Sequence, residues 1–150
     1  GVVFKDLMPL IADPQYFAET IRQLAAWARP REPALVFGAE ARGFIFGSAL
    51  AYELGAGFIA ARKPGKLPRE TVEATYDLEY GTGVLEMQAG QGRLLLVDDV
   101  LATGGTLAAS MVLSRQAGYV VQGIGVLIDI GIAPGFRCED QVPRIVLQYG

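Results

Sequence analysis

The sequence predicts one α/β domain in which helices flank a parallel β-sheet. Short apolar segments of strand length alternate with segments of helical spacing, and glycine, proline and aspartate stand at the predicted ends. Hydrophobic residues make up 51% of the 150-residue chain, which is long enough to bury a substantial core. No internal repeat or low-complexity linker divides the chain, so we expect residues 1–150 to form a single domain.

The first predicted helix begins at Asp13, its N-cap, with Pro14 as its first residue. Apolar side chains then recur at helical spacing, and the helix should end before Pro30. Further helices are predicted over residues 44–54 and 106–117, closed by Gly55 and Gly118, and strands over residues 34–37, 58–61, 93–97 and 119–128.

Residues 62–91 interrupt this alternation with a long polar segment. A stretch of this length between core strands usually has a function or is partly disordered. Within it, residues 75–80 and 82–88 are predicted to pair as a β-ribbon.

Composition limits the classes of function. The net charge of −3 argues against a general attraction to nucleic acid, and the absence of histidine leaves proton transfer to carboxylates, tyrosine or lysine. The longest uncharged stretch, residues 100–114, is too short to span a membrane. The single Cys138 cannot form an internal disulfide, which fits a reducing cytoplasm.

Two adjacent acids, Asp98 and Asp99, follow the predicted strand over residues 93–97. Ligands of a parallel sheet bind outside the carboxyl ends of its strands, and the backbone N–H groups of a small-residue turn before a helix suit a phosphate. A side chain at Gly104 or Gly105 would occupy the space of that phosphate. The residues of the turn are Ala102, Thr103, Gly104, Gly105 and Thr106.

This pattern favours a sugar-phosphate site, in which the two acids accept hydrogen bonds from ribose hydroxyls. One of the acids is expected to bond mainly to the backbone of its own loop, and the sequence does not indicate which. An ordinary turn between strand and helix with a solvated acidic pair is the alternative interpretation.

Two other loops after predicted strands carry cations. Arg42 stands between glycines in residues 38–43 and can bind phosphate oxygens through two parallel hydrogen bonds. Arg62, Lys63 and Lys66 stand in a loop with two prolines, and their charges suit pyrophosphate. A surface arginine in an ordinary turn and a solvated basic loop remain the alternatives.

The segment over residues 94–106 resembles the phosphoribosyl pyrophosphate (PRPP) signature of the type I phosphoribosyltransferases. Other segments resemble one subgroup, the adenine phosphoribosyltransferases, and together they span almost the whole chain. These segments are residues 1–6, 40–47, 62–68 and 76–81. The resemblance implies the type I fold: a central, mostly parallel sheet flanked by helices, a mobile β-ribbon loop and an N-terminal hood over the base. The family usually has residues before Gly1 that form part of this hood, so we expect the hood to be truncated here.

The resemblance also implies roles for the residues that match the family's motifs. Those matching adenine contacts are Val3, Phe4, Lys5 and Val100. Those in the pyrophosphate loops are Glu40, Ala41, Arg42, Arg62, Lys63 and Lys66. Those matching the ribose and 5′-phosphate contacts are Asp98, Asp99, Ala102, Thr103, Gly104, Gly105 and Thr106.

Three of the implied features concern the reaction and its loops. Glu79 matches the catalytic carboxylate of the mobile loop, and Tyr80 matches the adjacent residue that helps to close it. Arg62 matches a residue that reaches the neighbouring subunit. The bond between Glu40 and Ala41 is expected to be cis, which turns a backbone N–H toward pyrophosphate.

The implied reaction is adenine + PRPP → AMP + pyrophosphate, a step of purine salvage. The resemblance implies a cytoplasmic homodimer that requires Mg²⁺, with the ion held mainly by substrate oxygens and water and with no dedicated protein ligand assigned. It implies neither a nucleic-acid nor a membrane partner. Two alternatives stay open: another 6-substituted purine as substrate, and a PRPP-sensing regulator without turnover. The regulator is disfavoured because Glu79 is retained and no basic helix-turn-helix is present.

Overall fold

A computed structural model of the chain describes residues 7–68, 70–78 and 81–148. The helices are α1 (Met8–Ala12), α2 (Pro14–Ala28), α3 (Arg42–Leu54) and α4 (Gly105–Gln116). The strands are β1 (Leu35–Ala39), β2 (Gly57–Ala61), β3 (Thr71–Leu78), β4 (Gly81–Gln88), β5 (Gly92–Leu101), β6 (Tyr119–Asp129) and β7 (Arg144–Gln148). A short 3₁₀ helix, Arg29–Arg31, follows α2.

Five strands form one sheet in the order β2-β1-β5-β6-β7, and every neighbouring pair in it is parallel. Strands β3 and β4 pair separately as an antiparallel ribbon. The predicted fold class, a parallel sheet flanked by helices with a β-ribbon beside it, is therefore confirmed. None of the helices in the described residues is long and apolar enough to cross a membrane.

Successive residues of a strand point to opposite faces of the sheet, and both faces are covered by other elements. In β1, Phe37 joins a core cluster with α4 and the ribbon, whereas Val36 joins a second cluster with α2 and α3. In β5, Leu96 belongs to the first of these clusters and Val97 to the second. This burial explains why the central strands appear in the sequence as continuous apolar segments.

The predicted helix ends agree closely with the structure. Oδ1 of Asp13 accepts hydrogen bonds from the backbone N–H groups of Gln15 (2.9 Å) and Tyr16 (3.2 Å), which caps α2 as expected. Gly55 ends α3 with a φ of 68°, a left-handed conformation that suits glycine. Helix α3 starts two residues earlier than the predicted Phe44, and α4 is displaced by one residue from its prediction.

The main difference from the predicted elements is the length of β5. The strand continues past Val97 to Leu101 because it pairs with β6 as far as Leu101 and Asp129. Asp98 and Asp99 therefore lie within the last part of the strand and not in the loop after it. β1 similarly extends to Ala39 beside β2.

The prediction omitted α1 and β7. Helix α1 has 5 residues, which is too short to display a helical repeat. Strand β7 also has 5 residues and lies at the edge of the sheet, where β6 supplies its pairing. The ribbon, in contrast, was predicted, although β3 begins at Thr71, where the prediction had residue 75. The expected N-terminal hood and the mobility of the ribbon stay predictions.

Candidate active site

The loops that follow β2, β1 and β5 meet at one edge of the sheet, because these three strands are parallel neighbours. The loops after β1 and β5 line a cleft of about 260 Å³. The loop after β2 joins it through hydrogen bonds to Glu40. The residues that line it are Ala39, Glu40, Ala41, Arg42, Gly43, Asp98, Asp99, Val100, Ala102 and Thr106. Predicted site residues from the loops after β1 and β5 are thus brought to one place.

Asp99 is buried and tied to Arg42. Its Oδ2 lies 2.7 Å from Nε of Arg42, and its Oδ1 accepts a hydrogen bond of 2.9 Å from the backbone N–H of Val100. The Asp99 side chain is 8% exposed, whereas that of Arg42 is 37% exposed, so the guanidinium remains accessible from the cleft. Asp99 is therefore the acid of the pair that mainly holds other protein groups in position.

Asp98 has a different environment. Its Oδ1 accepts a hydrogen bond of 2.8 Å from the backbone N–H of Asp99, and the residue is half-buried in the wall of the cleft. Burial, together with the neighbouring carboxylate of Asp99, raises the pKa of Asp98 well above its usual range. Hydrogen-bond donors such as sugar hydroxyls would stabilise its ionised form, which makes Asp98 the better candidate for a ribose contact.

The turn after β5 leads directly into α4. A small pocket of about 60 Å³ lies over it, bounded by Asp98 and residues 100–107. The first backbone N–H groups of α4 and the positive end of its dipole face this turn, as expected for an anion site. Thr103 and Thr106 also line the pocket.

Gly104 is required for a reason that the sequence did not indicate. Its φ is 91°, and a side-chain carbon at this position would overlap the ring of Phe136. A side chain at Gly104 would therefore meet Phe136. The expectation that it would also enter the phosphate space stays a prediction. Phe136 belongs to the segment after β6, where no role was predicted.

The loop between β1 and α3 folds back closely on itself. A Cβ added to Gly38 would lie 2.6 Å from the carbonyl oxygen of Gly43, so this approach requires glycine at position 38. The peptide bond between Glu40 and Ala41 is cis, as predicted. The backbone N–H of Glu40 also donates to the carbonyl of Ala61 at the end of β2.

Glu40 connects this loop to the basic loop after β2. Its Oε1 accepts hydrogen bonds from the backbone N–H of Lys63 (2.9 Å) and from Nε of Arg62 (3.2 Å). The hydrogen bond from the backbone N–H of Lys63 is the main cause of the lowered pKa of Glu40, and the hydrogen bond from Arg62 lowers this pKa further. The Arg62 guanidinium also lies 5.8 Å from the centre of the Phe44 ring. Its contact with a neighbouring subunit stays a prediction.

Sequence reasoning missed Glu86, a buried acid in β4. Its carboxylate accepts hydrogen bonds from the backbone N–H groups of Gly65 (3.1 Å) and Leu67 (3.3 Å) in the basic loop. The available signal was a charged residue between two apolar ones, Leu85 and Met87, in a segment predicted to be a strand.

Several predicted residues lie outside the described residues. They are Val3, Phe4, Lys5, Glu79 and Tyr80. Of the predicted adenine contacts, Val100 is described, and it lies half-buried in the cleft wall. The cations Lys63 and Lys66 are both exposed.

A groove larger than the cleft lies elsewhere, between β3 and α4, with a volume of about 600 Å³. Its walls include Glu73 and Tyr76 from the ribbon and Val112 and Gln116 from the helix. The predicted site is therefore distinguished by its charged groups and backbone donors and not by its size.

The acidic side chains of the cleft are candidate ligands for a metal ion. Within residues 7–68, 70–78 and 81–148, no group of three or more acidic, histidine or cysteine side chains is arranged to hold one. Asp98 and Asp99 offer two carboxylates beside the anion pockets. That donor set suits Mg²⁺, which commonly takes most of its ligands from substrate phosphates and water.

The chain matches the family model described as the phosphoribosyl transferase domain over residues 11–135, which include both loops that line the cleft and the basic loop after β2. The chain therefore belongs to the phosphoribosyl transferase family.

Within this family, the chain is similar to the adenine phosphoribosyltransferases. It is 47% identical to that of Oenococcus oeni, over 97% of this chain and 85% of the relative. It is 50% identical to that of Thermobifida fusca, over 90% of this chain and 79% of the relative. The crystal structure of the enzyme from Thermoanaerobacter pseudethanolicus superposes with a TM-score of 0.91 at 40% identity, covering 99% of this chain and 90% of that chain.

Proposed function

We propose that this chain is an adenine phosphoribosyltransferase that converts adenine and PRPP to AMP and pyrophosphate in purine salvage. The observation that carries the proposal is the cleft, where an acidic strand end, a phosphate turn and the Arg42 loop converge, with the basic loop joined to it through Glu40. The similarity to adenine phosphoribosyltransferases over nearly the whole chain supports adenine as the base.

PRPP would extend across the three loops. Its 5′-phosphate binds the backbone N–H groups and hydroxyls of residues 102–106 at the start of α4. Its ribose hydroxyls donate to Asp98, which is the less constrained of the two acids. Its pyrophosphate binds Arg42, which Asp99 holds in place, together with the basic loop over residues 62–66.

In the reaction, a bond forms between N9 of adenine and C1′ of the ribose, and the bond from C1′ to the pyrophosphate oxygen breaks. Positive charge develops on the ribose in the transition state, and the carboxylates of Asp98 and Asp99 stabilise it electrostatically. The cationic loops stabilise the departing pyrophosphate. Mg²⁺, when bound, neutralises part of the phosphate charge.

The adenine end of the site rests on residues outside the described part of the chain. Val3, Phe4 and Lys5 would hold the base opposite Val100. Glu79, between β3 and β4, would donate a proton to N7 as N9 loses its own to water or the departing pyrophosphate, and would take the N7 proton back once the bond from N9 to C1′ has formed. Tyr80 would help to close the ribbon over the substrates. Closure excludes water, which would otherwise hydrolyse PRPP.

The assembly and setting form part of the same proposal. We place the enzyme in the cytoplasm as a Mg²⁺-dependent homodimer in which Arg62 contributes to the partner subunit's site. Light scattering coupled to size-exclusion chromatography tests the dimer, and activity after chelation with EDTA tests the metal, with restored activity expected on addition of Mg²⁺.

A single assay tests the reaction. The purified protein is incubated with Mg²⁺, PRPP and one labelled base at a time: adenine, hypoxanthine, guanine or another 6-substituted purine. We expect AMP and pyrophosphate with adenine and little product with the other bases. Preferred turnover of another purine would reassign the substrate, and PRPP binding without any nucleotide product would favour a regulator.

A further inference from the structure

Glu86 is an acid in an otherwise apolar position. It is 4% exposed and stands in β4 between Leu85 and Met87, which are 2% and 0% exposed. A carboxylate in such surroundings is costly unless hydrogen bonds satisfy its oxygens. Its hydrogen-bond partners therefore indicate which part of the structure it stabilises.

Both oxygens of Glu86 have partners, and all of them belong to one continuous segment. Oε1 accepts from the backbone N–H groups of Gly65 (3.1 Å) and Leu67 (3.3 Å). Oε2 accepts from the hydroxyl of Thr71, at 3.1 Å. The backbone of Glu86 exchanges two hydrogen bonds with that of Arg62, at 2.9 and 2.8 Å. Glu86 thus contacts the start and the turn of the segment between β2 and β3, and the first residue of β3.

This segment carries the cations that the proposed function assigns to pyrophosphate. Lys63 and Lys66 flank Gly65, whose φ of 81° marks the turn that Glu86 holds. Both lysines are exposed, so their own side chains do not anchor the loop by burial. On the other side, Glu40 holds the backbone N–H of Lys63 at 2.9 Å. Two carboxylates, Glu40 and Glu86, therefore hold the backbone of the loop that carries the two lysines.

We propose that Glu86 is a positioning residue for pyrophosphate binding. It binds no substrate itself, but it fixes the backbone of residues 62–67 and attaches that loop to the ribbon strand β4. This inference rests on the proposed function, because pyrophosphate is the ligand that the loop would bind. A purely structural role would alter stability and leave substrate affinities unchanged.

Three substitutions of Glu86 separate these roles. In Glu86→Gln, Oε1 still accepts from the loop amides and the side-chain amide donates to Thr71. Glu86→Asp keeps the charge but shortens the side chain, so that it no longer reaches all of its partners. Glu86→Ala removes every side-chain contact. Glu73→Ala is the matched control, since Glu73 pairs with Glu86 across the ribbon but is exposed.

The measurements are kcat, KM for PRPP, KM for adenine, the Kd of Mg²⁺–pyrophosphate by calorimetry, and amide hydrogen exchange over residues 63–68. For Glu86→Asp and Glu86→Ala, we expect KM for PRPP and the Kd of pyrophosphate to rise about tenfold or more, with faster loop exchange. KM for adenine should stay within about twofold, and Glu86→Gln and Glu73→Ala should remain near wild type in every measurement.

The outcomes are distinct. Wild-type affinity for pyrophosphate and PRPP in both Glu86→Asp and Glu86→Ala would overturn the proposal, whatever the change in Tm. If Glu86→Ala does not fold, the contrast between Glu86→Asp and Glu86→Gln decides the question. A wild-type protein without transferase activity would refute the proposed function, while pyrophosphate affinity and loop exchange would still test the role of Glu86.

Discussion

The two adjacent acids of β5 have different tasks, although they are chemically identical. Asp99 points at Arg42 and at the backbone of Val100, and burial leaves it little contact with a ligand. Asp98 lines both the cleft and the small phosphate pocket. Alternation along the strand gives neighbouring residues different surroundings, and this difference determines which carboxylate is available to a substrate.

Substitution of each acid by asparagine should separate these tasks. Asp99→Asn should lower the free energy of unfolding by about 1–3 kcal/mol, because an amide nitrogen would face the Arg42 guanidinium. It should also weaken PRPP binding by releasing Arg42. Asp98→Asn should be at least as stable as wild type near neutral pH but lose most of kcat/KM. Urea denaturation and steady-state kinetics measure both effects, and equal stability of the two variants would contradict the division of tasks.

The stability of Asp98→Asn should also depend on pH in a defined direction. Because the pKa of Asp98 is raised in the folded state, ionisation favours the unfolded state as pH rises from about 4 toward the folded pKa. Asparagine does not ionise, so the stability of Asp98→Asn relative to wild type should increase between about pH 4 and pH 7. Urea denaturation without substrate or metal checks this. A difference that is constant across this range would exclude the raised pKa.

Gly104 provides another residue-scale test. Gly104→Ala should lose about 1–2 kcal/mol for the left-handed backbone, and more for the overlap with Phe136. Gly55→Ala is the matched control, because Gly55 also has a positive φ but no atom lies within 4 Å of its Cβ position. Addition of Phe136→Ala should cost less in the Gly104→Ala protein than in wild type, as chemical denaturation would measure. Additive effects would show that the ring does not restrict position 104.

At the scale of elements, local signals predicted helix ends better than strand ends. Asp13, Pro14 and Gly55 act through their own backbone and nearby N–H groups, so their effects are visible in the sequence. The end of β5 depends on β6, which pairs with it through Leu101. The edge strand β7 likewise forms by pairing with β6, and no local sequence pattern predicts it.

The N-cap of α2 gives the corresponding prediction. Asp13→Ala removes the acceptor for Gln15 and Tyr16 and should lower the free energy of unfolding by about 1 kcal/mol. Asp13→Asn retains an acceptor and should remain near wild type. Neither should change KM for PRPP, because α2 packs on a core cluster with α3 and does not line the cleft. A change in KM without a change in stability would contradict this assignment.

At the scale of the whole molecule, Cys138 reports on the integrity of the fold. It is 5% exposed, and burial, with Glu139 beside it, raises the pKa of its thiol. Because the thiolate is the reactive form, the native protein should react with a thiol reagent at pH 8 about a thousandfold more slowly than the protein in urea. The absorbance of released thionitrobenzoate measures this rate. Fast reaction of the native protein would indicate that the segment after β6 opens locally.

The alternation of strands and helices, the helix ends and the segments that carry the candidate site residues could all be predicted from the sequence alone. These features depend on residue spacing, caps and short motifs, which act over a few neighbouring residues. The packed fold was needed to show that Asp99 holds Arg42, that Phe136 lies against Gly104 and that Glu86 holds the basic loop. Each of these contacts joins residues far apart in the chain, so its partner is specified by the packing of the sheet and the ribbon and not by any local pattern.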